Sequence, residues 1–97
     1  MYSVVNHLHL DGPVEDFVPG LQAEGMGLLS AMKGFRAFYF VKEAADRAIV
    51  IILWDSAEDA MAGAKQFGST WFAGNIAPHL ASEQQRTLGE VLAYTEI

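Results

Sequence analysis

The hydrophobic pattern of the chain centres on residues 48–54, seven consecutive apolar residues rich in β-branched and aromatic side chains. Polar residues flank this run, with Asp46 and Arg47 before it and Asp55 and Ser56 after it. Its length and composition predict a β-strand rather than a helix. Because polar and apolar residues do not alternate, both faces should be covered, which predicts a position in the middle of a sheet.

Three further strands are predicted from alternation or from aromatic content. Residues 2–10 alternate, and the more apolar set is expected to face the helices; it comprises Tyr2, Val4, Asn6, Leu8 and Leu10. Residues 35–42 form a second strand dense in aromatic side chains. Residues 43–47 are too few for anything except a hairpin into the central strand. The last strand is predicted over residues 87–97.

Two helical regions separate these strands. Apolar positions recur at helical spacing over residues 14–32. Pro19 lies inside this pattern, which predicts either a kink or a short first turn followed by a helix that begins at Pro19. Ser56 is predicted to cap a second helix. An interruption is predicted at Gly68, before a further short helix that Pro78 ends.

The element order is therefore β-α-β-β-α-β, in a single domain that spans residues 1–97. A right-handed crossover leaves a gap between the first two strands, and the hairpin places the third strand in that gap. The predicted fold is α+β and ferredoxin-like, a split β-α-β arrangement. Its four-stranded antiparallel sheet has the spatial order 4-1-3-2, with the helices on one face. Since the other face is also mainly apolar, a second subunit is expected to cover it in a homodimer.

Composition narrows the partners and the compartment. Apolar residues make up 52% of the 97 residues, and a domain of this size has a small interior relative to its surface. Some apolar side chains should therefore lie on the surface of the monomer, which supports the expected interface. The net charge is −6, and the six Lys and Arg residues are dispersed along the chain. No basic patch that would suit a nucleic acid is therefore expected. The absence of cysteine excludes disulfides, thiolate metal ligands and cysteine nucleophiles. Without a membrane-length apolar run or a signal-peptide pattern at the start, we expect a cytoplasmic protein with no membrane contact.

Three segments resemble the antibiotic biosynthesis monooxygenase (ABM) domains of the dimeric α+β barrel superfamily. They are residues 33–40 (Lys-Gly-Phe-Arg-Ala-Phe-Tyr-Phe), 53–60 (Leu-Trp-Asp-Ser-Ala-Glu-Asp-Ala) and 89–91 (Gly-Glu-Val). With the element order and length, the resemblance covers essentially the whole chain. These motifs mark a helix cap and a strand-to-helix turn, so they support fold and dimer more than activity. The resemblance implies a cofactor-independent oxygenase acting on aromatic polyketides or quinols, or a haem-degrading enzyme.

The haem-degrading branch of this family relies on an Asn in the first strand, a Trp in the second helix and a His shortly after it. Asn6 matches the first of these residues. Alignment on the turn after Trp54 puts Gly63 at the position of the helix Trp, and His79 falls several residues later than the expected His. Because two of the three residues do not match, we expect no haem turnover.

Asn6 is the one polar residue on the strand face that should meet the helices. Two interpretations of it are equally open: a buried amide bonded to backbone, or a hydrogen-bond donor aimed at a substrate oxygen. For a proton-abstracting step only the histidines have a usable pKa range, and His79 is the best placed. His7 and His9 have a spacing compatible with a metal, but no third ligand is evident. We interpret these two histidines as residues of the dimer interface.

Aromatic residues cluster around the predicted break in the second helix, at Phe67, Trp71 and Phe72. Aromatic residues at such spacing usually belong to the core, but the break is also the natural mouth of a cleft between helices and sheet. If this cleft is open, its expected walls are Asn6 and Leu8 of the sheet and Leu21, Phe67, Trp71 and His79 of the helical side.

The sequence therefore predicts a cofactor-independent monooxygenase for a small planar phenol, quinol or polyketide-like substrate. Asn6 and His79 are the predicted catalytic residues, and neither a metal nor another cofactor is expected. Two alternatives stay open because fold alone does not choose among them. One is a non-redox isomerase on the same scaffold, and the other is a non-enzymatic ligand-binding or stress-response protein. An open cavity beside Asn6 would favour an enzyme, and a filled core the last alternative.

Overall fold

The computed structural model describes residues 1–96 and contains one four-stranded antiparallel sheet. Its strands are β1 (Tyr2–His9), β2 (Phe35–Ala44), β3 (Arg47–Trp54) and β4 (Gln85–Glu90). They lie in the order β2-β3-β1-β4, which confirms the predicted split β-α-β topology. The turn between β2 and β3 is only two residues long.

The central strand β3 shows why its sequence does not alternate. Ala48, Val50, Ile52 and Trp54 face the helices and are at most 5% exposed. The residues between them, at positions 49, 51 and 53, are half-buried on the opposite face of the sheet. Both faces therefore carry apolar side chains, but only one is covered within the described chain.

The first helical segment, α1 (residues 14–30), is irregular. A 3-10 turn (Val14–Phe17) leads into an α-helical turn (Val18–Gly20), a π-helical turn (Leu21–Gly25) and a final α-helical stretch (Met26–Ser30). Pro19 lies in the first α-helical turn, where its missing N–H costs no intrahelical hydrogen bond. The second of the two predicted alternatives, a short turn followed by a helix, is therefore the one observed.

The second helix, α2, spans Ala57–Ser69 and is capped as predicted, since the Ser56 Oγ accepts a hydrogen bond from the Asp59 N–H at 3.1 Å. The predicted interruption at Gly68 is wrong. The helix continues through Gly68 and breaks at Thr70, before α3 (Trp71–Asn75) and a 3-10 turn (Ala77–His79). A glycine costs a helix only about 1 kcal/mol, which burial of the neighbouring Phe67 offsets.

The last strand differs from the prediction at both ends. β4 begins at Gln85 and ends at Glu90, and residues 91–96 are not in a strand. Glu90 pairs with Tyr2 at the beginning of β1, and the Val91 N–H donates to the Met1 carbonyl. β4 therefore ends opposite the first residue of β1. Ile97, the end of the predicted strand, lies outside the described residues.

The core lies between the sheet and the helices, with Trp54 at its centre. The Trp54 side chain is fully buried beneath α2, and a Cβ added at Gly63 would overlap its indole ring. Glycine at this position therefore lets α2 approach the sheet. Within residues 1–96, no helix is long and apolar enough to cross a membrane.

Candidate functional site

A cavity of about 70 Å³ lies between the sheet and helices α2 and α3, beside Asn6. Its walls are mainly apolar and include Val4, Leu21, Phe38, Val50, Ile52, Phe67, Phe72 and Ile76. An engineered cavity of about 150 Å³ is large enough to hold benzene. The cavity beside Asn6 is about half that size, so an aromatic ligand enters only if the walls move apart.

Polar side chains form one wall of this cavity, where β4 runs beside β1. Asn6 pairs directly with Arg86 across the two strands, and Gln84 precedes Arg86 by two residues. Residues two apart on an extended chain point to the same face, so Asn6, Arg86 and Gln84 line the cavity together. We call these three residues the polar wall.

Two amide oxygens of the polar wall have no hydrogen-bond partner among residues 1–96. The Oδ1 of Asn6 and the Oε1 of Gln84 are both buried and unpaired, and the indole N–H of Trp54 is the other such group. Leaving a buried polar group unpaired costs about 1–3 kcal/mol. The structure therefore does not support the interpretation of Asn6 as a core amide whose oxygen is bonded to backbone. Both amides border the cavity, and each has an oxygen whose capacity to accept a hydrogen bond is unused.

The structure brings some of the predicted site residues together and separates others. Asn6, Leu21 and Phe67 line the same cavity. Leu8 is buried in the core further along β1 but does not line it. Trp71 lies behind Phe67, because the two rings stack with centroids 5.7 Å apart, and it does not line the cavity either.

His79 does not line the cavity beside Asn6 and instead faces a separate surface cleft. Its Nδ1 is 3.2 Å from both carboxylate oxygens of Asp11, and its ring packs edge-on against Phe17. Trp71 also lines this cleft, and its indole N–H donates to the Glu24 carboxylate at 3.2 Å. The two predicted catalytic residues, Asn6 and His79, thus occupy different hollows of the molecule.

The histidines of β1 have separate environments. The Nε2 of His9 is 3.0 Å from the Asp46 carboxylate, whereas His7 is exposed on the sheet face that no helix covers. Across residues 1–96, no three side chains of the types that bind metals are grouped to hold an ion. The proposed role of these histidines at a dimer interface stays a prediction.

Sequence reasoning missed Gln84 and Arg86. The predicted strand began at residue 87, so both residues fell in an unassigned connection. Their spacing carried the signal, because Gln84, Arg86 and Leu88 lie two apart and therefore share a face once the strand is extended.

The position aligned with the helix Trp of haem-degrading relatives is occupied differently in this chain. Gly63 stands there, and the indole of Trp54 fills the space directly beneath it. A large side chain at position 63 would displace Trp54 from the core. The contact gives a physical reason for the expected lack of haem turnover, which itself stays a prediction.

No protein-family model matches this chain, and none of the curated proteins matches its sequence. Solved structures share its fold, and three of them are described here. A variant of SnoaB, a cofactor-independent oxygenase from Streptomyces nogalater, is 15% identical with a TM-score of 0.76, over 96% of this chain and 94% of that one. The ActVA-Orf6 monooxygenase from Streptomyces coelicolor, in complex with nanaomycin D, is 14% identical with a TM-score of 0.75, over 99% and 92%.

The third is a variant of MhuD that binds two manganese protoporphyrin IX molecules per active site. It is 18% identical with a TM-score of 0.74, over 99% of both chains. At these identities the likeness shows a shared fold alone. The ABM fold expected from the sequence is therefore confirmed, and the activity has to be argued from the site.

Proposed function

We propose that this protein is a cofactor-independent monooxygenase that binds a small planar aromatic substrate in the cavity beside Asn6. The observation that carries the proposal is a mainly apolar cavity with one polar wall, which contains two buried amide oxygens that are unpaired among the described residues. Apolar walls with a few convergent polar groups are typical of small-molecule sites. Two proteins of the same fold named as oxygenases, one of them in complex with nanaomycin D, support this choice.

The proposed chemistry requires little of the protein. In the oxygenases that the sequence resembles, the substrate carbanion itself reduces oxygen, so the protein has to favour deprotonation and stabilise the resulting anion. Arg86 and Asn6 pair across β4 and β1 and both line the cavity. The guanidinium N–H groups of Arg86 and the Nδ2 group of Asn6 are proposed to donate hydrogen bonds to a developing substrate oxyanion. This stabilisation lowers the pKa of the bound substrate and thereby favours loss of its proton.

His79, the base expected from the sequence, is not part of this proposal. No His, Asp or Glu of the described chain lines the cavity, so the proton is proposed to leave to water. His79 instead holds the turn after α3 against the end of β1, through Asp11. Its substitution is expected to affect stability more than turnover.

Entry of the substrate requires the cavity to widen. Phe72 and Ile76 line it from α3 and the residue that follows, a short segment separated from α2 by the break at Thr70. We propose that this segment moves outward when the substrate binds. The sheet side of the cavity is fixed by its ladder of backbone hydrogen bonds.

We also propose that the protein acts as a homodimer. Val5, Ile51 and Tyr39 lie side by side across three strands on the face that no helix covers, and Tyr39 is 52% exposed. Leu92 and Tyr94, after β4, are also exposed, at 89% and 55%. An apolar surface of this kind is typical of an interface, and a second copy of the chain would cover it.

Oxygen uptake tests the proposed activity. A panel of anthrones and hydroquinones is incubated with protein purified free of flavin and metal. Wild type should consume oxygen with at least one of them, and Asn6→Ala should lower turnover about 100-fold, as loss of one oxyanion donor typically does. The control variant His79→Ala should retain turnover within about threefold. Uptake that survives Asn6→Ala unchanged would remove Asn6 from the mechanism, and conversion of substrate without oxygen consumption would favour an isomerase.

A further inference from the structure

The polar wall has more hydrogen-bonding groups than recognition of one oxyanion requires. Asn6 and Arg86 face each other across β1 and β4, and Gln84 lies one same-face step, about 7 Å, before Arg86. The amide oxygens of Asn6 and Gln84 are both acceptors without a donor among the described residues. Two buried acceptors on one wall, flanking a cation, define a pattern that a ligand must complement.

We infer that Gln84 and Asn6 together recognise a pair of hydroxyl groups on one edge of the substrate, an inference that rests on the proposed function. Each amide oxygen would accept one O–H hydrogen bond, while Arg86 contacts an oxygen of the same edge. The substrate class is thereby narrowed to aromatics with two hydroxyl groups on one edge of the ring. Gln84 is the residue that specifies the second hydroxyl.

Hydroxyl groups fit this wall better than other donors do. An ammonium group would also donate to the amide oxygens, but the guanidinium of Arg86 in the same wall would repel it. A sugar carries the required hydroxyls, but its polar faces would lie against Phe38, Phe67 and Phe72, which offer no partners. A flat ring with hydroxyls on one edge would place its apolar faces against the aromatic side chains and its hydroxyls against the polar wall.

The site is built to discriminate because an unpaired amide penalises ligands that lack the matching group. A ligand with one hydroxyl satisfies one of the two oxygens and leaves the other buried without a donor. Sites that hydrogen-bond a ligand hydroxyl reject analogues without it more strongly than apolar pockets reject an analogue of different size. The preference should therefore appear in binding alone, before any reaction.

Binding without oxygen tests this inference. Dissociation constants of 1,3-dihydroxynaphthalene, 1-naphthol and 2-naphthol are measured by anaerobic titration calorimetry. Wild type should bind the diol about tenfold more tightly than either monohydroxy compound. Gln84→Met, which keeps the size of the side chain but removes the acceptor, should reduce the advantage over at least one naphthol to about twofold or less.

Two further variants separate recognition from structure. Gln84→Glu keeps an oxygen acceptor at the same position and should preserve the preference for the diol. Gln66→Met, an equivalent change on the exposed face of α2, should change none of the three dissociation constants. Circular dichroism of each variant confirms that it is folded.

The inference is overturned if wild type does not bind the diol or shows no preference for it, or if Gln84→Met leaves the preference intact. Because no oxygen is present, this result is independent of turnover. A protein that prefers the diol but consumes no oxygen would refute the proposed oxygenase activity while supporting the recognition role of Gln84. Oxygen uptake without a diol preference would support the proposed oxygenase activity and refute the recognition role of Gln84.

Discussion

Replacement of Asn6 by leucine should stabilise the folded protein while abolishing its activity. Asn6 lies on β1 between the buried Val4 and Leu8, with Val50 on the neighbouring strand on one side and Arg86 on the other. Its buried amide oxygen has no partner, which costs about 1–3 kcal/mol of folding free energy. Leucine removes that cost and extends into the cavity of about 70 Å³. Allowing for imperfect fit of the new side chain, we expect a net gain of about 1 kcal/mol.

Thermal denaturation measures this gain. For a domain of this size, about 1 kcal/mol corresponds to a rise in Tm of about 4–8 °C. Protein concentration has to be held constant, because formation of the proposed dimer would make the Tm depend on it. Oxygen uptake by the same variant should fall by about 100-fold or more, since the proposed oxyanion donor is lost.

Asn75→Leu is the matched control. The Nδ2 of Asn75 donates to the Trp71 carbonyl at 2.8 Å, so this substitution removes a made hydrogen bond and should lower the Tm or leave it unchanged. If Asn6→Leu lowered the Tm as well, the Asn6 amide would have to be satisfied in the folded protein. That result would refute the description of Asn6 as an unpaired group held for a ligand.

Three further predictions concern the assembly, the core and the haem alternative. Light scattering of the wild type should give twice the 10.6 kDa chain mass, and a stable monomer at micromolar concentration would contradict the proposed dimer. Ile51→Asp should abolish dimerisation because it buries a charge in the proposed interface. In urea denaturation Gly63→Ala should destabilise the fold by about 3 kcal/mol or more, because its Cβ would overlap the Trp54 ring. Gly68 has open space around it, so Gly68→Ala should stabilise the fold by up to about 1 kcal/mol. Equal effects of the two substitutions would refute the packing argument. Haemin with a reductant should show no ordered loss of the Soret band, and stoichiometric conversion to an open tetrapyrrole would show that the alignment at Gly63 is misleading.

The strand order could be predicted because its signals are local. The unbroken apolar run of β3, the short turn after Ala44 and the capping Ser56 each specify a single element or connection. Handedness and steric rules then leave one arrangement for these elements. The ends of β4 could not be predicted in this way, because they depend on where its partner β1 begins and ends.

The site was only partly predictable for a related reason. Asn6 could be identified because it interrupts an apolar strand face, and strand alternation fixes the direction of its side chain. Gln84 and Arg86 were missed with the start of β4. The helical break lies two residues later than expected, and two helical residues correspond to a rotation of about 200°. Trp71 and His79 follow this break, and they line the surface cleft instead of the cavity that Phe67 lines.

The most direct test of the proposed function is oxygen-18 labelling of the product formed from an anthrone. In this reaction one oxygen atom enters the product as the new carbonyl, and the other leaves as water with the two hydrogens of the oxidised methylene. The proposal predicts one labelled atom per product molecule and one molecule of oxygen consumed per substrate, with protein free of flavin and metal. Incorporation no faster than in the protein-free reaction, or equally fast with Asn6→Ala, would contradict it.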